Sequence, residues 1–221
     1  MMRALILDMD GTLIDSVYAQ VLAWQESFEK EGIHVPAWSI HSKIGLGGQE
    51  LAKTIGSELG TSISRIQAER MDKRHSKIMN ELLPRPMPLP GASELLRRLR
   101  EMRVPWGIAT SGDRAGVKEA LRSLNFSDKV TFVCKEDVKH AKPHPDLFLA
   151  CRARLKIPAQ DCFVVGDAVW DMLAAKRSGM LGIGLLTGGS SHSALTEAGA
   201  YRVYNDPAEL DAKRHELGLV I

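Results

Sequence analysis

The sequence predicts a doubly wound, mainly parallel α/β sheet with an all-helical unit inserted into it. Three observations carry that reading. Short continuous apolar runs have the pattern of strands buried on both faces, helical patterns alternate with them, and one interval is far too long for a single crossover.

The first run is ALILD, from Ala4 to Asp8, which stops at polar residues and Gly11. Comparable runs follow at Trp106–Thr110 (WGIAT), Val130–Val133 (VTFV), Cys162–Gly166 (CFVVG) and Leu181–Leu186 (LGIGLL). Between and around them, SELLRRLREM after Gly91, AGVKEALRSL from Ala115, PDLFLACRARL from Pro145 and MLAAKRSG before Leu181 place apolar residues at helical spacing. Strand and helix in alternation mean right-handed crossovers and a parallel sheet.

About 95 residues separate the first strand from the second, where a helical crossover needs only about 30. The excess contains no buried-strand pattern. Val17–Lys30, Gly48–Leu59 and Ser62–Glu81 read instead as three amphipathic helices, a small cap. Its entry is the short LIDS stretch, and its exit is LLPRPMPLPG, where four prolines forbid helix and favour a stiff extended connection. The expected division is a core of residues 1–16 and 85–221 and a cap of residues 17–84. Two short linkers at one sheet edge form a hinge geometry.

Composition agrees with a packed protein: of 221 residues, 44% are hydrophobic and 25% charged, enough for one sizeable core and a smaller unit. A formal charge of only +2 supplies no basic field for phosphate backbones, so nucleic acid is not an expected partner. No apolar run reaches membrane-spanning length, and MMRALILDMDGT meets acids too soon for a signal peptide, so a cytoplasmic monomer or dimer with no membrane association is expected. Cys134, Cys151 and Cys162 are odd in number and lack CxxC spacing, which reads as reduced core thiols.

In open parallel sheets the ligand crevice lies beyond the carboxyl ends of the strands. Four such places carry polar residues. Asp8 and Asp10 stand two apart directly after the first strand, followed by Gly11 and Thr12. Thr110, Ser111 and Gly112 end the second, Lys142 precedes PHPD and a helix, and Asp167 and Asp171 follow CFVVG in GDxxxD spacing. With all four in this order, the core resembles the haloacid dehalogenase superfamily of phosphotransferases, and the insert resembles the helical cap of its phosphoglycolate phosphatase and β-phosphoglucomutase-like members.

The resemblance implies a Rossmann-like core and a Mg²⁺-dependent phosphatase acting on a small phosphorylated metabolite such as phosphoglycolate or a sugar phosphate. Asp8 would be the nucleophile and Asp10 the acid that protonates the leaving group and later activates water. The metal set would be Asp8, Asp10, Asp167 and Asp171: the Asp8 and Asp167 carboxylates and a backbone carbonyl hold the ion, and Asp171 orients its waters. Thr110 and Lys142 complete the catalytic set, and Ser111 and Gly112 offer donors to phosphoryl oxygens. Lys43 in the cap, beside IGLGG, and Arg114 in SGDR are candidate substrate contacts. His140 and His144 read as surface histidines because Pro143 between them breaks a helical ligand face. The LLTGGSS stretch reads as a flexible turn.

Dehalogenases and phosphonate hydrolases of that superfamily lack an acid at the position of Asp10, so a phosphate ester is expected. A phosphomutase uses the same two aspartates, but such mutases usually carry His where Gln20 stands. A non-catalytic binding protein would show eroded motifs, and none is eroded.

Overall fold

The computed structural model describes residues 3–126 and 129–219. Six parallel strands form one sheet in the order β3-β2-β1-β4-β5-β6. These are β1 (Ala4–Leu7), β2 (Trp106–Ala109), β3 (Phe132–Val133), β4 (Cys162–Gly166), β5 (Leu181–Leu185) and β6 (Ala200–Tyr204).

β1 is entirely buried because its four side chains feed two different apolar layers. Leu5 and Leu7 join Leu95, Leu96 and Leu99 of α5 (Ala92–Glu101) and Val117 and Leu121 of α6 (Arg114–Ser123). Ala4 and Ile6 point the other way, to Leu147, Phe148 and Cys151 of α7 (Asp146–Leu155) and Ala174 and Ala175 of α8 (Val169–Arg177). This period-two division is what a doubly covered strand requires. Register then aligns the chemistry: Leu7 pairs with Ile108 on one side and with Val165 on the other. The residues just past the carboxyl ends of β1, β2 and β4 therefore meet at one level.

The insert is helical, with α1 (Val17–Glu29), α2 (Ala37–His41), α3 (Gly48–Glu58) and α4 (Arg65–Leu82). It has its own core, in which Val21, Trp24 and Phe28 of α1 pack with Leu51 and Ile55 of α3 and Met71 of α4. Side chains of this size stabilise by about 1.5–3 kcal/mol each when fully buried. The two linkers run side by side: Asp15 N–H donates to Met87 O at 2.9 Å, Leu89 N–H donates to Leu13 O at 2.9 Å, and Ile14 bridges Pro88 in antiparallel fashion. The proline-rich exit thus remains extended, as its composition requires.

Three elements depart from expectation. The strand expected at Val130–Val133 is only Phe132–Val133. The five-residue α2 is too short to show a helical period. β6 went unread because it lies at the sheet edge with mixed exposure, so AYRVY lacks the continuous apolar character of the inner strands. Cys134, Cys151 and Cys162 are buried and unpaired, with burial the first cause raising their thiols. No helix among the described residues is long and apolar enough to cross a membrane.

Candidate active site

Beyond β1 the chain turns sharply. Asp8 N–H still donates to Val165 O at 2.8 Å, while Met9 O accepts from the amides of Thr12, Leu13 and Ile14. Gly11 makes this turn possible with φ +75°, and a Cβ there would lie 2.4 Å from Asp167 Oδ2. Thr12 Oγ1 donates to Asp167 Oδ1 at 2.8 Å, tying the ends of β1 and β4 together. Asp171, in the first turn of α8, accepts from Ala168 N–H at 3.0 Å, the position where a helix N-terminus favours negative charge.

One carboxylate oxygen from each of Asp8, Asp167 and Asp171 lies within 4.8 Å of the others, and all three residues are buried. Lys142 is 1% exposed and sits among them, its Nζ 2.7 Å from Asp8 Oδ1 and 2.7 Å from Asp171 Oδ1. The contact to Asp171 is a directed hydrogen bond, whereas Asp8 Oδ1 is paired by charge but lacks a well-angled donor. Burial raises the Asp8 carboxyl to about 7; Lys142 opposes this, and Asp171 and Asp10 add to it. Asp167 is likewise pushed well above the ordinary range, by burial first and then by Asp171 and Asp8. Burial disfavours the Lys142 ammonium, but its two carboxylate partners outweigh that and hold it firmly protonated.

Three buried carboxylates against one ammonium leave an excess of negative charge in a low-dielectric place. An all-oxygen donor set with such an excess fits a hard divalent cation.

The Asp10 carboxylate is not part of this cluster. Its side chain turns to the neighbouring cavity and accepts from Ser16 Oγ at 2.6 Å. Thr110 is buried at the end of β2, its Oγ1 accepting from Gly112 N–H at 3.0 Å. Ser111 and Gly112 line the same cavity as Asp8, Asp10, Thr110 and Lys142.

The cavity, about 450 Å³, lies between core and cap. The IGLGG loop of the cap is packed down on the core: Gly47 N–H donates to Lys142 O at 3.2 Å, and Ser111 Oγ donates to Gly45 O at 3.3 Å. A Cβ on Gly47 would stand 2.6 Å from Ala141 Cβ, so only glycine allows this approach. Trp170 Nε1 donates to Ser42 O at 3.2 Å, closing the rim.

Two expected contacts do not reach the cavity. Lys43 turns back into the cap and pairs with Glu58 at 2.8 Å. Arg114 pairs with Asp137 at 2.7 Å and lies over the Phe132 ring. Their surroundings supply the carboxylates that the motif spacing could not reveal.

Other residues were missed. The LLTGGSS turn is part of the site wall: a Cβ on Gly188 would lie 1.8 Å from Asp167 Oδ2, and Gly188 O is 2.9 Å from His41 Nε2. The cap side of the cavity comes from Gln20 and Trp24 of α1 and from a stripe of α4 that includes Asp72, His75, Ser76 and Asn80. That stripe was legible as polar residues at helical spacing beside the buried Ala68, Met71 and Ile78 of the same helix. His140 and His144 lie outside the cluster, with His140 Nδ1 3.2 Å from Asp146.

Residues 2–179 match the family model described as haloacid dehalogenase-like hydrolase. The crystal structure of a hydrolase from Pseudomonas syringae is 42% identical, covers 97% of this chain and 99% of that one, and superimposes with a TM-score of 0.94. The validoxylamine A 7'-phosphate phosphatase of Streptomyces hygroscopicus subsp. limoneus is 31% identical over 189 residues, 85% of this chain and 87% of the relative. The β-phosphoglucomutase of Bacillus subtilis is 28% identical over 191 residues, 83% of each.

Proposed function

The chain belongs to the haloacid dehalogenase-like hydrolases and is a phosphoric monoester hydrolase, and we propose that it hydrolyses a small phosphorylated metabolite in a Mg²⁺-dependent reaction through an aspartyl phosphate on Asp8. The observation that carries this reading is the buried Asp8–Lys142–Asp171 arrangement at the floor of a capped cavity, with Asp10 alongside but outside the cluster. In this reading residues 1–16 and 85–221 are the catalytic core and residues 17–84 the cap.

Asp8 and Asp167 would hold the ion with a main-chain carbonyl, and Asp171 would orient its waters. When bound, the ion supplies positive charge that offsets repulsion between a dianionic ester and the carboxylates. The protein's own groups do the rest. Lys142 keeps Asp8 paired and adds a fixed positive charge, while the Thr110 hydroxyl and the main-chain amides at Ser111 and Gly112 would serve the phosphoryl oxygens, Gly112 N–H giving up its bond to Thr110 Oγ1. An Asp8 oxygen attacks phosphorus, the bond to the ester oxygen breaks, and Asp10 gives that oxygen its proton. Asp10, now a carboxylate, takes a proton from water as the water oxygen attacks phosphorus, releasing phosphate and free Asp8.

A mutase reading has the β-phosphoglucomutases among the similar proteins in its favour. Gln20 argues for hydrolysis, because a neutral amide facing the cavity has no acid–base function.

The test is turnover of a phosphorylated-metabolite panel and p-nitrophenyl phosphate with Mg²⁺, with and without chelator, with a sugar bisphosphate primer in one arm. Rapid-quench intact mass of wild type and Asp8→Asn accompanies it. Chelator should abolish turnover, and a phosphoryl adduct should form on wild type alone. Full turnover in chelator, or an adduct on Asp8→Asn, contradicts the reading; primer-dependent isomerisation without phosphate release identifies a mutase.

A further inference from the structure

The phosphoryl end of the cavity is described above; the opposite end, which must take the leaving group, is built differently. From α1 and α4 it receives the neutral polar side chains of Gln20, His75, Ser76 and Asn80, together with Trp24, Met79 and Asp72. His75 Nε2 is buried without a hydrogen-bond partner among the described residues. The imidazole is fixed in place by stacking on Trp24, ring centroids 4.5 Å apart and 17° from parallel.

The charged groups at this end are already committed or acidic. Lys135 is bound to Asp72 at 3.1 Å, linking core to cap. The other cation lining the cavity, Lys142, lies between Asp8 and Asp171. Asp113 and Glu119 add two further carboxylates to the wall, and Lys43 and Arg114 are paired elsewhere. Among the described residues lining this cavity, a leaving group bearing its own carboxylate would meet several like charges and no cation that is not already paired; Lys73 and Lys118 line an adjoining surface pocket instead.

We infer that the substrate is the phosphate monoester of a neutral, polyhydroxylated alcohol (a sugar, alditol or cyclitol) and not of a hydroxy acid, with His75, Gln20 and Asn80 reading its hydroxyl groups. This rests on the phosphatase reading above. A hydroxyl both donates and accepts, so it satisfies Nε2 in either neutral tautomer, and it also matches the amides of Gln20 and Asn80. Burial, and secondarily Lys135, holds the His75 imidazole neutral, down to about 3, so it offers no positive charge to an acid. A cavity of about 450 Å³ also has room for a leaving group well beyond two carbons.

The experiment compares kcat/KM of the Mg²⁺-loaded full chain on glucitol phosphate and inositol monophosphate with that on phosphoglycolate and phosphoglycerate. Phosphate release from p-nitrophenyl phosphate is the reference. At least one polyol ester should exceed both acids by about tenfold or more, the effect of leaving buried polar groups unpaired. Two variants follow. Asp72→Asn frees the Lys135 ammonium and should raise the ratio of acid to polyol ester by about 3- to 10-fold, the scale of one charge-assisted contact. His75→Phe keeps the stacking on Trp24 but removes the ring nitrogens, and should raise KM for the polyol ester several-fold more than KM for p-nitrophenyl phosphate. Hydrolysis of p-nitrophenyl phosphate with preference for the carboxylated esters overturns this inference and leaves the phosphatase reading standing. Unchanged ratios in both variants overturn the assigned contacts. No hydrolysis of any ester overturns the phosphatase reading itself.

Discussion

Replacing Lys142 by Met tests the electrostatic account of the site most directly. The side chain is 1% exposed and its ammonium is 2.7 Å from each of two buried carboxylates. Methionine fills a similar volume and leaves both acids without a counter-charge. Breaking a buried pair from one side costs about 3–5 kcal/mol. For a protein of 221 residues, at about 2–4 °C per kcal/mol, that is a fall in Tm of about 6–20 °C. The loss depends on pH. In the fold the Asp8 carboxyl sits at about 7 with Lys142 present, raised by burial from an ordinary 3.8, and without the lysine it moves higher. A group raised in this way stabilises the fold relatively at low pH, and that contribution is lost as pH climbs through the folded value. Without Lys142, Asp8 at pH 8 must either hold its proton at a cost or stay as an unpaired buried charge, whereas at pH 5 it already holds a proton and only Asp171 loses its partner. The deficit should shrink at pH 5 by about 1–2 kcal/mol, the share of one of the two contacts. Urea and thermal unfolding of the metal-free proteins at both pH values measure it. A deficit under about 1 kcal/mol at pH 8, or one that is equal or larger at pH 5, would refute the reasoning.

The metal reading predicts that Mg²⁺ raises Tm more at pH 8 than at pH 5, because ion and protons compete for carboxyls whose folded values are raised. Each tenfold gain in affinity adds about 1.4 kcal/mol, or about 3–6 °C at saturating ion, and a pH-independent shift in calorimetry would count against Asp8 and Asp167 as ligands. Gly188→Ala should weaken Mg²⁺ binding about 10- to 100-fold by displacing Asp167, whose Oδ2 lies 1.8 Å from the added Cβ; titration calorimetry checks this, and unchanged affinity speaks against it. Asp10→Asn should cost about 10²- to 10⁴-fold on alkyl esters but less on p-nitrophenyl phosphate, whose leaving group hardly needs a proton; rapid-quench analysis with equal losses on both would remove Asp10 from the acid role. Lys43→Ala should leave KM for a natural ester within about twofold, since its ammonium is engaged by Glu58, and steady-state kinetics showing a larger rise would return Lys43 to the substrate.

The motif residues were legible because their spacing is local and their position is set by strand ends. ALILD could only be a buried strand, and the sheet order then delivers Asp8, Thr110 and Asp167 to one level without further information. Lys43 and Arg114 were misplaced for the converse reason. A long basic side chain goes where its nearest carboxylate lies, and Glu58 and Asp137 come to them only through tertiary packing. Gly188 looked like a flexible turn because nothing in LLTGGSS shows that Asp167 will lie against it. The α4 stripe was visible as a polar face, but a polar face usually means solvent, and only the packing of α4 against α1 turns it toward a cavity.

Asp8 and Asp10 show how one short motif can hold two chemistries. They are two residues apart, yet the turn at Gly11 sends their side chains into different surroundings. Asp8 is driven into the buried cluster against Lys142, whose ammonium favours the anion that the proposed nucleophilic role requires. Among the described residues the Asp10 side chain is hydrogen-bonded by the Ser16 hydroxyl, faces the cavity and has no salt-bridge partner. Lys142 favours the ionised form of Asp8, and Asp10 has no such ammonium among its contacts. In the proposed mechanism the division of labour would then follow from Lys142 and not from the aspartates themselves. It follows that moving the positive charge should move the role: in Asp10→Asn combined with Lys142→Met, Asp8 loses its ionised state along with its acid partner. The double variant should then lose phosphoenzyme formation even from p-nitrophenyl phosphate, which Asp10→Asn alone retains, and a rapid-quench adduct surviving in the double variant would show that Lys142 is not what makes Asp8 the nucleophile.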